Sequence, residues 1–141
     1  MVKRIVIWGT GFVGKLVIPA IVRHPLFELV GVGVSDPAKV GRDVGEICGI
    51  PHVGVTATDD VDALIALAPD ALVHYGPTAA HAGDNIALMS RFLRAGIDVC
   101  STAMTPWVWP GLKLNPPDLL APITQACEAC LRVVGLHQLH R

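Results

Sequence analysis

Three glycines spaced as G-x-G-x-x-G constrain this chain more than any other feature. They lie in Trp8-Gly9-Thr10-Gly11-Phe12-Val13-Gly14, after the apolar run Arg4-Ile5-Val6-Ile7-Trp8 and at the start of an amphipathic segment, Phe12 to Arg23. A strand that ends in such a turn and opens a helix leaves little choice of fold. Gly9 permits the tight exit from the strand, Gly11 lets a pyrophosphate approach the backbone, and Gly14 lets the helix pack close to the sheet. Unpaired N–H groups and the helix dipole favour negative charge at that N-terminus. Gly9, Thr10, Gly11, Phe12, Val13 and Gly14 therefore form a candidate dinucleotide-binding turn. Glycines also recur in ordinary turns, so it is the strand before and the helix after that give the pattern its meaning.

With 141 residues, the chain has room for one domain around a real core and little room for a second. Lys plus Arg number 11 against 12 for Asp plus Glu, so neither a nucleic-acid surface nor a basic membrane patch is expected, and a small ligand is. An apolar fraction of 52% and a mean hydropathy of +0.52 imply a sheet buried on both faces, or apolar surface awaiting a partner. Lys3 and Arg4 before apolar residues imitate a signal peptide, but Gly9, Gly11, Gly14 and Lys15 break the run before a membrane span is complete. The expected location is the cytoplasm, where Cys48, Cys100, Cys127 and Cys130 would be reduced thiols.

Strand and helix signals alternate along the chain. Lys3 to Trp8 reads as a central strand. Val13, Leu16, Val17, Ala20 and Ile21 follow the spacing of one buried helix face, although Pro19 interrupts it. Phe27 to Val34 reads as a second strand ending at Ser35-Asp36-Pro37, Lys39 to Cys48 as a short helix or loop, and Val53 to Thr56 as a third strand. A helix opens at Thr58-Asp59-Asp60 with Val61, Leu64, Ile65 and Ala68 as its stripe, and Asp70 to Tyr75 is the fourth strand. Asp84 to Ala95 is a helix stopped by Gly96, and Ile97 to Ser101 is the fifth strand. Thr105 to Pro110 carries Trp107 and Trp109 in a loop. Asn115-Pro116-Pro117-Asp118 opens a last helix along Leu120, Ile123, Cys127 and Cys130, and Leu131 to Leu136 offers a sixth strand. The expected architecture is α/β, a Rossmann-type doubly wound parallel sheet of about six strands with helices on both faces.

Candidate binding residues fall at the carboxyl ends of these strands, where open parallel sheets hold ligands. After the second strand stand Ser35 and Asp36, with Lys39 and Arg42 downstream. A carboxylate there suits the ribose of NAD, whereas a hydroxyl with cations suits the phosphate of NADP. The mixture leaves NAD or NADP open with a slight lean to NADP, and a plain Asp-Pro turn with solvated cations is the alternative. Gly76, Pro77 and Thr78 after the fourth strand, with Ser101 and Thr102 after the fifth, are expected at the nicotinamide end. His74 and His81 lie nearby, and a structural role is expected for each. Cys127 and Cys130 with His137 and His140 imitate a zinc site, but the pairs stand too close in sequence and the cysteines share an apolar stripe. Buried thiols and no metal are expected there.

Several stretches are similar to the N-terminal domain of the dihydrodipicolinate reductase family, especially the branch that includes 2,4-diaminopentanoate dehydrogenase. They are Ile7 to Gly14, Leu29-Val30-Gly31-Val32, Ser35-Asp36-Pro37-Ala38-Lys39-Val40-Gly41-Arg42-Asp43, Gly54 to Asp60, Pro69-Asp70 and Val99-Cys100-Ser101-Thr102. The resemblance implies NAD(P)-dependent hydride transfer involving an imine or amino acid, with catalytic groups, substrate site and oligomer contacts in a C-terminal domain. On that resemblance residues 1–141 form the dinucleotide-binding domain and the second domain is expected to be absent, by truncation. Catalytic residues stay unassigned. Two functions follow from it: an oxidoreductase module completed by a missing domain, a partner chain or a homo-oligomer, or an inactive nucleotide-binding remnant.

Overall fold

A computed structural model describes residues 1–77, 81–104 and 118–130. Five parallel strands form one sheet: β1 (Lys3–Trp8), β2 (Phe27–Gly33), β3 (Ala57–Thr58), β4 (Ala71–His74) and β5 (Asp98–Ser101), in the order β3-β2-β1-β4-β5. The chain thus starts in the middle, winds outward to β3, then crosses β1 to build β4 and β5. This is the doubly wound arrangement, with five strands among the described residues rather than about six. The sixth candidate, 131–136, the tryptophan loop, the two prolines 116 and 117, and Thr78 lie outside them.

Helices cover both faces. Helix α1 (Phe12–Arg23) and α2 (Val44–Cys48) bury Ile18, Ile21, Val44 and Ile47 against Ile5, Ile7, Leu29 and Val32. On the other face α3 (Val61–Ala66), α4 (Ala82–Arg94) and α5 (Ala121–Cys130) bring Leu64, Ile86, Met89, Phe92 and Ile123 onto Val6 and Leu72. Strand β1 is therefore sandwiched, which is why it is apolar at consecutive positions instead of alternating. That double burial also absorbs much of the chain's high apolar content.

The stripe expected on α1 and the bounds expected for the third strand are both corrected. The buried stripe of α1 is Gly14, Ile18 and Ile21, while Val13 and Leu16 are exposed. Seating Gly14 on the glycine turn fixes the helix's rotation, and at 100° per residue this turns Val13 and Leu16 away from the sheet. Helix α1 also continues through Pro19. The lost hydrogen bond costs roughly 3 kcal/mol, whereas burying Ile18 and Ile21 returns about 1.5–3 kcal/mol each, so packing wins.

The third strand is Ala57–Thr58, not 53–56. The Asp43 carboxylate accepts the N–H groups of Val53 (3.1 Å) and Gly54 (2.9 Å), and Val44 N–H donates to the Val55 carbonyl (2.9 Å). Thr56 forms an antiparallel bridge with Asp43. Those residues are thereby tied to the start of α2 and the chain joins the sheet only afterward. Asp43 titrates below the ordinary carboxylate value: partial desolvation pushes it upward, but the N–H groups of Val53, Gly45 and Gly54 together outweigh that.

Candidate functional site

The carboxyl ends of β1, β2 and β4 meet at Gly9. Its N–H donates to the Gly33 carbonyl at 2.9 Å, and its φ of +106° is one that side-chain-bearing residues rarely adopt. A Cβ there would stand 2.9 Å from the Tyr75 carbonyl oxygen. Gly9 is thus wedged where the sheet reverses its winding. Gly14 faces it from α1, and a Cβ on Gly14 would lie 2.0 Å from the Gly9 carbonyl oxygen.

Gly11 differs from both. Its backbone is extended (φ −73°, ψ −160°), and among the described residues a Cβ would meet nothing within 4 Å. Neither conformation nor the protein's own packing requires glycine there, so open space over the backbone is what the missing side chain provides. Gly11 is also the N-cap of α1, with no side-chain hydrogen bond to the cap and no acidic residue in the first turn. Helices α2 and α3, by contrast, are capped by Asp43 and Asp60. The first turn of any helix leaves N–H groups without intrahelical partners, and an anion is a natural occupant. Thr10 is buried beneath the turn, while Phe12 and Val13 are exposed beside it.

The structure gathers Asp36, Lys39 and Arg42 beyond β2, next to exposed Ser35. Asp36 accepts the Ala38 N–H at 3.0 Å, capping a 3-10 turn at Pro37–Lys39, and lies 3.8 Å from the Lys39 ammonium. Arg42 pairs with Glu46 at 2.7 Å, and that hydrogen bond, then Glu46's charge, raises its pKa. Both cations thus have carboxylate partners at the protein surface. Such exposed pairs contribute only about 0–1 kcal/mol, so an incoming phosphate could displace them.

Across the switch point the loops after β4 and β5 are joined through a buried histidine. His74 is 0% exposed, and its Nδ1 lies 3.0 Å from Ser101 Oγ, which also accepts the Ala103 N–H at 3.0 Å. The Ser101 hydroxyl therefore faces inward, and exposed Thr102 donates its N–H to the His74 carbonyl at 3.3 Å. Asn85, absent from the sequence-based site, is buried on α4 and donates from Nδ2 to the Pro77 carbonyl at 2.7 Å. Its sequence signal is a polar residue on the apolar stripe of Ile86, Met89 and Phe92. His81 is exposed at the start of α4, 3.6 Å from Asp84.

Burial lowers the His74 pKa from its ordinary 6.5, against a smaller upward pull from the Asn85 amide. The unfolded chain then binds a proton near that ordinary value while the folded chain stays neutral. Stability should fall as pH drops below about 6.5. Asp43 and Asp70 titrate below their ordinary 3.8, so their contribution is lost only in stronger acid. Thermal unfolding between pH 7 and 5 should show the decline, and His74→Gln should flatten it; an unchanged slope would contradict this account.

Among the described residues there is no metal-holding group of His, Cys, Asp and Glu, and no helix is long and apolar enough to cross a membrane. Cys127 packs against the α4 core cluster as a small apolar residue, and positions 137 and 140 lie outside the described residues.

Residues 3–104 match the family described as "Dihydrodipicolinate reductase, N-terminus". An amine dehydrogenase of Streptomyces virginiae is 38% identical over 122 residues, covering 86% of this chain and 33% of that protein. The chain thus spans about a third of that relative's length. Amine dehydrogenase from Mycobacterium smegmatis superposes with a TM-score of 0.76 at 21% identity, covering 91% of this chain and 37% of that one. The WlbA dehydrogenase of Bordetella pertussis, solved with NADH and UDP-GlcNAcA, superposes at 0.61 and 22% identity, covering 92% and 35%.

Proposed function

The chain belongs to the dihydrodipicolinate reductase family through its N-terminal domain, and on that premise we propose that it binds a nicotinamide dinucleotide for an oxidoreductase. The observation that carries this reading is the glycine turn. Gly9 and Gly14 are held by sterics, whereas a side chain at Gly11 would meet none of the described residues and would cover a helix N-terminus that has no side-chain cap. A pyrophosphate fits that combination, because backbone N–H groups and the helix dipole both favour it. The adenosine end then lies toward Ser35, Asp36, Lys39 and Arg42, and the nicotinamide end toward Gly76, Pro77 and Thr102.

When bound, the nicotinamide supplies or accepts the hydride. This chain's part is to bind it, orient it and present one face to a substrate. An amine or imine is the substrate class we favour, from the Streptomyces virginiae relative, and a diamino acid or its cyclic imine from the branch resemblance. Substrate contacts and catalytic groups come from outside the dinucleotide domain, in a further domain or a second subunit. We place the protein in the cytoplasm with its thiols reduced. A turnover assay with NADPH and these substrates separates an active module from a binding remnant: oxidation of NADPH supports the first, binding without oxidation the second.

NADP is our preferred cofactor because Lys39 and Arg42 are held only by weak surface pairs and stand beside Ser35. Replacing both by Ala should weaken NADPH about 100-fold or more and leave NADH nearly unchanged, since each phosphate contact is worth roughly 1.5–3 kcal/mol. Equal losses for the two cofactors, measured by fluorescence titration, would reject the preference for NADP.

A further inference from the structure

We propose that His74, as its neutral Nε2–H tautomer, is a positioning residue that locks the loops after β4 and β5 into one platform beneath the nicotinamide end of the dinucleotide. The proposal rests on the dinucleotide reading above. It starts from a side chain that is 0% exposed and whose Nε2 has no hydrogen-bond partner among the described residues. A buried polar atom left short of a partner is costly, so one kept at the carboxyl end of β4 calls for a reason.

The surrounding atoms identify the tautomer. Asn85 Nδ2 donates to the Pro77 carbonyl, which leaves Asn85 Oδ1 as an acceptor. That oxygen and His74 Nε2 both border Gly76, where a Cβ would stand 2.9 Å from the first and 2.7 Å from the second. Two acceptors facing each other there would repel, so Nε2 carries the hydrogen. Nδ1 must then accept, and the Ser101 hydroxyl supplies its proton while its oxygen accepts from Ala103 N–H.

One imidazole thereby reaches both loops. Through Ser101 it holds the turn at 101–103, and its Nε2 lies beside the Asn85 amide that holds the Pro77 carbonyl. Its ring edge also underlies Gly76, where a side chain on residue 76 would collide with it. Gly76 N is in turn 3.5 Å from the Cβ position of Gly9, so this platform adjoins the glycine turn. A chain wired this way sets the height of the Gly76-Pro77 backbone without touching the reacting atoms.

Two measurements test the proposal. Imidazole 15N spectra of the unaltered chain should show His74 as the Nε2–H tautomer at neutral pH; an Nδ1–H tautomer overturns it. His74→Phe, which keeps a ring but no hydrogen bonds, should weaken NADPH about tenfold. It should leave 2′-phospho-ADP-ribose, which lacks the nicotinamide, within about twofold, and His74→Gln, with an amide donor, should recover most of the loss. Equal weakening of both ligands by a folded His74→Phe, or no weakening, refutes the positioning role. Should His74→Phe fail to fold, the comparison of the two ligands passes to Ser101→Ala and Asn85→Leu, with the same outcomes deciding. Should the unaltered chain bind neither ligand, the dinucleotide reading fails, while the tautomer spectrum still judges the wiring.

Discussion

Gly14→Ala should lower the unfolding temperature by about 10 °C, the consequence of roughly 3 kcal/mol of strain. The added methyl would sit 2.0 Å from the Gly9 carbonyl oxygen, and that obstacle is backbone. It cannot rotate aside as a side chain could. Relief requires α1 to move off the sheet, which uncovers Ile18 and Ile21, now 0% and 8% exposed. Or the turn itself must open, and Gly9 is already pinned between the Gly33 carbonyl and Tyr75. Alanine is otherwise the best helix former, so propensity alone predicts the opposite sign. Calorimetry or thermal circular dichroism decides between them, and an unchanged or raised transition would mean that α1 is not seated on Gly9.

Gly11→Asp should separate folding from binding. The extended backbone at Gly11 accepts any residue and its Cβ position is open. Asp is a favoured N-cap, its charge complements the helix dipole, and replacing glycine reduces the freedom of the unfolded chain. Together these should stabilise the fold by up to about 1 kcal/mol. NADPH affinity should nevertheless fall at least about 100-fold. The carboxylate takes the N–H groups meant for the pyrophosphate and repels it, and two charges 4 Å apart near a protein surface interact by about 4 kcal/mol. A more stable protein that has lost its ligand is the expected signature of a helix N-terminus left uncapped for function.

Much of this fold is written locally in the chain. The sandwiched strand β1, the glycine turn and the helix after it are neighbours in sequence, so periodicity and spacing suffice to place them. What the sequence hides depends on distant partners. The rotation of α1 follows from contact between Gly14 and Gly9, and Leu16, which periodicity puts inside, is 62% exposed. The start of β3 moves because Asp43, ten residues before Val53, captures its N–H group. Asn85 is a helix residue among apolar neighbours, and nothing local reveals that it faces Pro77 and His74. The ion pairs of Lys39 and Arg42 escape notice similarly, since Asp36 and Glu46 become their partners only once the 3-10 turn and α2 have formed. The site is therefore legible as positions, whereas its internal hydrogen bonding requires the fold.

We propose that the Gly9 to Gly14 turn holds the pyrophosphate of a nicotinamide dinucleotide. Titrating NADPH and NADH with the unaltered chain and with Gly11→Asp, following the fluorescence of the reduced nicotinamide, tests it most directly. Binding by the unaltered chain should saturate, and a Gly11→Asp protein that unfolds no earlier should bind at least about 100-fold more weakly. No saturation by either cofactor up to about 1 mM, where binding would be worth only about 4 kcal/mol, or equal affinity in the two proteins, would contradict it.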